Sequence, residues 1–495
     1  MLFNSLLFLY LFLPACLFFV TIARKDLKNA FLLFASFIFY AWGGVAFVSI
    51  LAGSTLANYL IGLALGNATK KGARKAWFIT GILVNIGPLL VFKYTGFFTE
   101  NLNMLTCFFG LSPLTVQELV LPLGISFYSF KAVTYMVSLY RGEVPVQRNY
   151  IDLALYIAFF PAVLAGPIDR YRTFLPQLRE RRLTVDGFAS GIRCFALGLG
   201  KKVLVANSLA VVADKAFDSP YAVLSTPLAW LGLVCYALQI YYDFSGYTDM
   251  AIGLGRMFGF HLTENFNFPY IAQSVKDFWR RWHITLSNWL RDYIFLPIAY
   301  SLSRKMKQER YLSMRTDQLI YLAATTVTFL VCGFWHGAAW NFIVWGLLHG
   351  LMMILEQLGL GRLLKKLYAP LRTLYAVFFV MLAWVFFRTP TLPDAFSYMG
   401  ILFGAGADTS WRELSGLLSP GFIAVLAIGL AGSTRLFARL NERFLQSAKQ
   451  FPRPMRFAAI NLREILSLLA VTFVLAAATL FIVAGTNNSF IYFKF

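Results

Sequence analysis

The sequence predicts an all-α polytopic membrane protein, a helical bundle of roughly eleven to thirteen spans with re-entrant or interfacial helices. Two observations carry this. Hydrophobic residues make up 59% of the 495 and charged residues 14%, with a mean hydropathy of +0.65; a soluble domain carries about 25% charged residues. Apolar runs near the ~20 residues that a helix needs to cross hydrocarbon recur along the whole chain, and Lys and Arg gather between them.

The first run, MLFNSLLFLYLFLPACLFFV, lacks a basic leader and an A-x-A cleavage site, so it is expected to be a retained first span. Further spans are expected near 30–43, 46–66, 77–95, 119–140, 150–168, 187–213 and 222–242. The remainder fall near 318–334, 338–357, 369–388, 419–440 and 464–485. Basic groups at 23–28 and 70–75 follow the first and third runs, which places them in the cytoplasm and Met1 outside. Hydrophilic loops are short, the longest near 301–318 and 404–418, leaving no room for a soluble catalytic domain. A single membrane domain over 1–495 is expected, with N-terminal spans 1–118, a core at 119–358 and C-terminal spans 359–495.

The net charge of +21 does not point to nucleic acid. Its lysines and arginines cluster at 23–28, 70–75, 170–182, 303–315 and 361–372, where they suit an anionic cytoplasmic leaflet and membrane lipid. The five cysteines are scattered through mostly apolar segments without CxxC or Cys/His spacing, so neither a disulfide frame nor a zinc site is expected. There is no P-loop, no dinucleotide-binding glycine pattern and no GxSxG elbow. LGLGKK at 197–202 has the wrong spacing for a phosphate loop and is expected to end a helix with interfacial lysines.

One block, 241–300, breaks the hydropathy rhythm by placing Asp243, Asp249, Lys276, Asp277, Arg280, Arg281, Arg291 and Asp292 among aromatics. In lipid, irregular or charged segments persist only where they are buried in protein or line a watery cavity, so the chemistry is expected here. If 277–293 is one helix, His283, Ser287 and Arg291 share a stripe. DFSG is expected to start a helix, with Ser245 or Asp243 near the cap, and Asp243 and Asp249 to pair with nearby Arg or cap a helix. Asn341, Trp345 and His349 form another stripe, expected to serve packing, and His261 is expected to be structural. His336 stands before that second helix, between Gly333 and Gly337, where a backbone break presents its ring to a cavity. A buried imidazole tends to be neutral, which is what a general base requires; the competing role is a structural hydrogen bond to a neighbouring helix.

Five stretches in order carry a resemblance: LPLGISFYSF (121–130), FFPAVLAGPIDRY (159–171), QIYYDFSGYTDMAIGLGRMFGF (239–260), NFNFPYIAQSVKDFWRRWHITLSNWLRDYIFLPI (265–298) and FWHGAAWNFIVWGLLHG (334–350). Together with the closing NSFIYFKF they resemble the membrane-bound O-acyltransferase (MBOAT) family, nearest the bacterial branch that acetylates exopolysaccharides such as alginate. The resemblance implies a many-helix core around a transmembrane tunnel in the bacterial inner membrane, with the polar block 241–350 as its catalytic part. It also implies catalytic histidines at His336 and His283, and no permanently bound cofactor. The implied donor is cytoplasmic acetyl-CoA. The implied partners are a periplasmic SGNH-type acetyl carrier and the polysaccharide synthesis and export machinery.

Acyl transfer from a thioester needs a base for the incoming hydroxyl and donors for the oxyanion. His336 can be the base. His283, Asn341 or an indole N–H of Trp335 or Trp340 can orient it or polarise the carbonyl, with Ser287 and Asp243 as further tunnel-lining candidates. Lys276, Arg280 and Arg281 can hold the phosphates of CoA, a role that competes with that of topology signals. Rival readings are D-alanyl transfer to teichoic acid, acetylation of cellulose or another matrix polymer, and a transporter or flippase. Transporters tend to show paired interrupted segments in two halves, whereas this polar block occurs once.

Overall fold

The computed structural model describes residues 1–116, 119–311, 313–407, 411–485 and 490. Apart from a hairpin of Arg310–Tyr311 with Met314–Arg315, the regular structure there is helical. Of the closing NSFIYFKF, only Phe490 falls among the described residues.

Among the described residues, seven helices are long and apolar enough to cross a membrane. They are Val45–Asn67, Lys71–Phe108, Val185–Phe217, Thr316–His336, Trp340–Leu364, Ala369–Arg388 and Arg453–Val483. Pro420–Gly432 and Leu436–Lys449, bent by 66°, add an eighth if they count as one span. Phe8–Ile22 and Lys28–Ala41 are shorter apolar helices. The run at 150–168 is broken: Tyr150–Ala158 stops at Phe159, and one turn, Phe160–Val163, follows.

The chain divides into two compact units, 1–195 with 247–263, and 196–246 with 264–495. In the first, Phe8 packs against Phe3, Phe39 and Phe160 with ring centroids 5.0–6.3 Å apart. Its buried polar groups find each other across helices. The amides of Asn58 and Asn85 exchange hydrogen bonds of 2.8 and 2.9 Å between Val45–Asn67 and Lys71–Leu89. Asp169 Oδ1 accepts from the backbone N–H of Thr263, and the ammonium of buried Lys131 lies 5.0 Å from the Tyr156 ring. His261 is exposed, and its backbone exchanges hydrogen bonds with the side chain of Gln177.

In the second unit, Thr316–His336 and Trp340–Leu355 pack against each other through glycine. A Cβ on Gly346 would collide with the carbonyl oxygen of Phe329, and one on Gly333 with that of Phe342. Small residues are what let backbones approach this closely in lipid, where association runs on packing and not on hydrophobicity.

Two expectations for the polar block are corrected. Residues 241–257 continue the 32-residue helix Thr226–Met257, so Asp243 and Ser245 lie inside a helix and cap nothing. The local DFSG turn signal loses because Lys202 lies across from Asp243, its ammonium 2.6 Å from the carboxylate, and pairing satisfies a charge that a mid-helix position would otherwise strand. The single helix expected over 277–293 is two, Val275–Trp279 and Ile284–Leu290, with His283 between them. His283 therefore drops out of the stripe expected with Ser287 and Arg291, because it precedes the second helix in a left-handed conformation.

Gly346→Ala is expected to destabilise the protein by about 1–3 kcal/mol, because the added methyl meets backbone. Gly53→Ala, whose Cβ meets nothing within 4 Å, is expected to be neutral or slightly stabilising. Thermal unfolding of the two variants in detergent checks the contrast.

Candidate active site

His283 has φ 43° and ψ 54°, a left-handed conformation that a residue with a side chain adopts at a cost of about 1–2 kcal/mol. The neighbouring backbone holds it there. Ile284 N–H donates to Asn265 O at 2.9 Å, and Asn267 N–H to Arg281 O at 2.9 Å, so 265–267 lies alongside 281–284. The Asn265 side chain completes the clamp. Its Oδ1 accepts from Thr285 N–H at 3.1 Å, from Thr285 Oγ1 at 2.9 Å and from His283 Nδ1 at 3.2 Å.

That clamp fixes a tautomer. A backbone N–H donates to the Asn265 side chain, so the atom it meets is the amide oxygen; the histidine nitrogen facing the same oxygen must then carry the proton. His283 is thus Nδ1–H, with its lone pair on Nε2. The ring is fully buried, packs edge-on against Phe244 at 4.7 Å, and burial pushes its pKa down from 6.5 to about 3. It is neutral and basic at Nε2 only.

His336 is the last residue of Thr316–His336, just before the break at 337–339. The expected backbone interruption is present, made by Gly337, where a Cβ would strike the Phe342 ring. The imidazole is 5% exposed and walled by Trp335 at 4.7 Å, Trp345 at 5.0 Å and Phe387 at 5.2 Å. Trp335 also connects to His283, ring centroids 6.3 Å apart. The stripe of Asn341, Trp345 and His349 is buried, as its spacing predicts. His349 Nδ1 accepts from the Trp279 indole at 3.2 Å, which leaves the proton of that ring on Nε2.

The remaining candidates separate. Trp335 adjoins both histidines, whereas Trp340 is 54% exposed. The amide nitrogen of Asn341 donates to the carbonyls of Phe386 and Thr389, tying down the end of Ala369–Arg388. Ser287 Oγ donates to Trp282 O at 3.2 Å, a local hydrogen bond. Asp243 is committed to Lys202. Arg280 and Arg281 both bind Asp277, at 2.7 and 3.1 Å, and Lys276 is exposed.

Sequence reasoning passed over Asn265 and Glu356. Glu356 is buried, and its carboxylate accepts from the backbone N–H groups of Val275 (2.7 Å) and Lys276 (3.1 Å) and from the Tyr375 hydroxyl (3.1 Å). It serves as a remote N-terminal cap for the short helix that carries Trp279. The signal that could have found it is a lone carboxylate closing the apolar run 342–355. The spacing of Trp345 predicts packing, yet its indole nitrogen is buried without a hydrogen-bond partner among the described residues.

Two cavities flank this centre. One, of about 730 Å³, is lined by Asp214, Asp218, Gln239, Asn341, Phe387 and Arg388, among others. The other, of about 780 Å³, is lined by Arg281, Arg435, Arg439, Ala369, Pro370 and Thr373, among others. They lie at opposite ends of Ala369–Arg388: the eighteen steps from Pro370 to Arg388 rise about 27 Å, close to the thickness of the hydrocarbon core. The basic cluster at 361–372 lies at the arginine-lined end, the pattern expected of a cytoplasmic loop, with the other cavity then the outer one.

A sequence model of the MBOAT, membrane-bound O-acyltransferase family, matches residues 143–391, which include both histidines. The chain is 36% identical over 517 residues to a probable alginate O-acetylase AlgI of Azotobacter vinelandii, with 100% of each chain covered. It is 34% identical to a peptidoglycan O-acetyltransferase of Helicobacter pylori, over 82% of this chain and 80% of that one. It is 30% identical to a teichoic acid D-alanyltransferase of Bacillus subtilis, over 48% of this chain and 59% of that one.

Asn265→Leu keeps the volume and removes the oxygen that three donors share. It is expected to cost at least ~2 kcal/mol, read as a fall in the detergent unfolding temperature. An unchanged temperature would contradict the clamp.

Proposed function

The chain belongs to the membrane-bound O-acyltransferase family and is an integral membrane O-acyltransferase, and from that premise we propose that it takes acetyl groups from cytoplasmic acetyl-CoA and passes them outward. The receiver is a periplasmic SGNH-type protein that acetylates an exopolysaccharide, with alginate the favoured polymer because probable alginate O-acetylases match along its whole length. One observation carries the reading: His336 sits at a helix break beside a wall, Phe387, that it shares with the outer cavity.

The chemistry follows from which atoms are committed. His336 takes the proton of the acceptor hydroxyl as its oxygen attacks the thioester carbonyl. The negative charge gathers on the carbonyl oxygen and collapses to expel the CoA thiolate, which recovers the proton from the imidazolium. His283 cannot polarise the carbonyl, since its one N–H is held by Asn265; through Nε2 it acts as a proton acceptor and orienting group. The hydrogens of Asn341 are likewise committed to backbone carbonyls. The Trp345 indole, against His336 and with no hydrogen-bond partner among the described residues, is a donor available to the oxyanion.

On the cytoplasmic side, Arg281, Arg435 and Arg439 line one cavity, and guanidinium groups match phosphate geometry. Of the three basic residues singled out in the sequence, this assigns the CoA phosphates to Arg281, which lines the cavity.

Membranes with labelled acetyl-CoA test the reading. The wild type is expected to move label onto a serine of the acceptor protein, and His336→Gln to reduce transfer by about 10³-fold or more while remaining folded and inserted. Wild-type transfer by the variant would refute the role of His336. Arg435→Glu with Arg439→Glu is expected to raise the KM for acetyl-CoA at least about tenfold with kcat little changed; an unchanged KM would place the phosphates elsewhere.

A further inference from the structure

The bent pair Pro420–Gly432 and Leu436–Lys449 does not behave as one span. The apolar run expected near 419–440 stops at Gly432, and the chain turns by 66° into the second helix. That helix carries Arg439, Glu442, Arg443 and Lys449, four charges in fourteen residues, which hydrocarbon does not accept on a lipid-facing segment. Its residues are sorted by side. Leu436, Leu440 and Phe444 recur at i, i+4 and i+8 with Phe437 beside them, and all four are 40–54% exposed. Arg439, Glu442, Gln446 and Lys449, at i, i+3, i+7 and i+10, run along the other side.

The helix is tied to the protein elsewhere. Ala448 is buried, and Arg463 Nε donates to Asn441 Oδ1 at 3.0 Å, joining it to Arg453–Val483. The stripe of Leu436, Phe437, Leu440 and Phe444 stays uncovered. From Arg435 to Arg456 six cations face one carboxylate, Glu442, which lies 3.4 Å from Arg435. Arg443, Lys449, Arg453 and Arg456 are all exposed. An amphipathic helix with a basic flank lies in the plane of a bilayer surface, its apolar stripe at the acyl boundary and its cations among the headgroups.

The start of the helix tells which surface this is. Thr434, Arg435, Leu436 and Arg439 line the same cavity as Ala369 and Pro370, at the end of Ala369–Arg388 beside the basic cluster 361–372. We propose that Leu436–Lys449 lies flat on the cytoplasmic face of the membrane and docks on anionic phospholipid, with Arg443, Lys449, Arg453 and Arg456 holding the headgroup phosphates. The occupant is a lipid and not free phosphate, because the apolar stripe needs acyl chains that an inorganic anion lacks. The assignment is independent of the acetyl-transfer reading, since it makes no use of the histidines and leaves Arg435 and Arg439 to the cavity.

Two measurements on the full-length protein test this. In a Cys107→Ser background, spin labels are placed singly at Leu440→Cys, Phe444→Cys, Glu442→Cys and Gln446→Cys in nanodiscs containing phosphatidylglycerol. Oxygen, which concentrates in lipid, is expected to relax the labels at 440 and 444, and a water-soluble nickel chelate those at 442 and 446. Native mass spectrometry then counts the lipids retained from vesicles of equal phosphatidylglycerol and phosphatidylcholine. The wild type is expected to prefer phosphatidylglycerol, excess inorganic phosphate not to displace it, and Arg443→Glu with Lys449→Glu and Arg453→Glu to cut the preference about fivefold or more. A wild type that retains both lipids equally, displacement by phosphate, or a preference that the triple variant keeps would overturn the proposal. So would a nickel chelate that reaches 440 and 444 as readily as 446, which would make the stripe a water-facing surface for a partner protein.

Discussion

In the hydrocarbon core there is no water to take up a stray hydrogen bond, so each buried polar group must be answered from within the protein. That constraint organises this molecule. Asn58 answers Asn85, Lys202 answers Asp243, and the carboxylate of Glu356 answers two backbone amides and a tyrosine. Each pair joins segments that are distant in sequence, so polar satisfaction sets the alignment of helices that apolar packing alone would leave free to slide.

The candidate site applies the same rule to a strained backbone. His283 occupies a left-handed conformation because Asn265 gathers the donors around it, through its carbonyl to Ile284 and through its side chain to Thr285 and the imidazole. The strain is offset by four hydrogen bonds to one residue. The result is a neutral ring with a fixed tautomer, and the tautomer decides which roles remain open to it. His349, its proton left on Nε2 by the Trp279 indole, repeats the device on the next helix.

What surrounds the site is asymmetric. At one end of Ala369–Arg388 a cavity is lined by Arg281, Arg435 and Arg439, and at the other a cavity is lined by Asp214 and Asp218, which share Arg388. The two ends of one membrane-length helix thus differ in the sign of their charged lining.

The class was fully legible in the residues: hydropathy and the spacing of lysine and arginine depend on composition along the line of the chain, and lipid reads the chain locally. His336 was legible for a related reason, since a glycine after a histidine at the end of an apolar run is itself a local signal for a break. Local signals misled where distant residues intervened. DFSG looked like a helix start until Lys202 neutralised Asp243 within a longer helix, and the aromatic periodicity of 277–293 concealed the turn at His283 because Asn265, which enforces it, lies eighteen residues away. The sequence by itself determined the solvent, the helical membrane class and the helix break that follows His336. Tertiary structure decided the tautomer of His283, the spare hydrogen-bonding capacity of Trp345, and the charge of each cavity, because these depend on which groups meet across helices and no period along a chain encodes a partner.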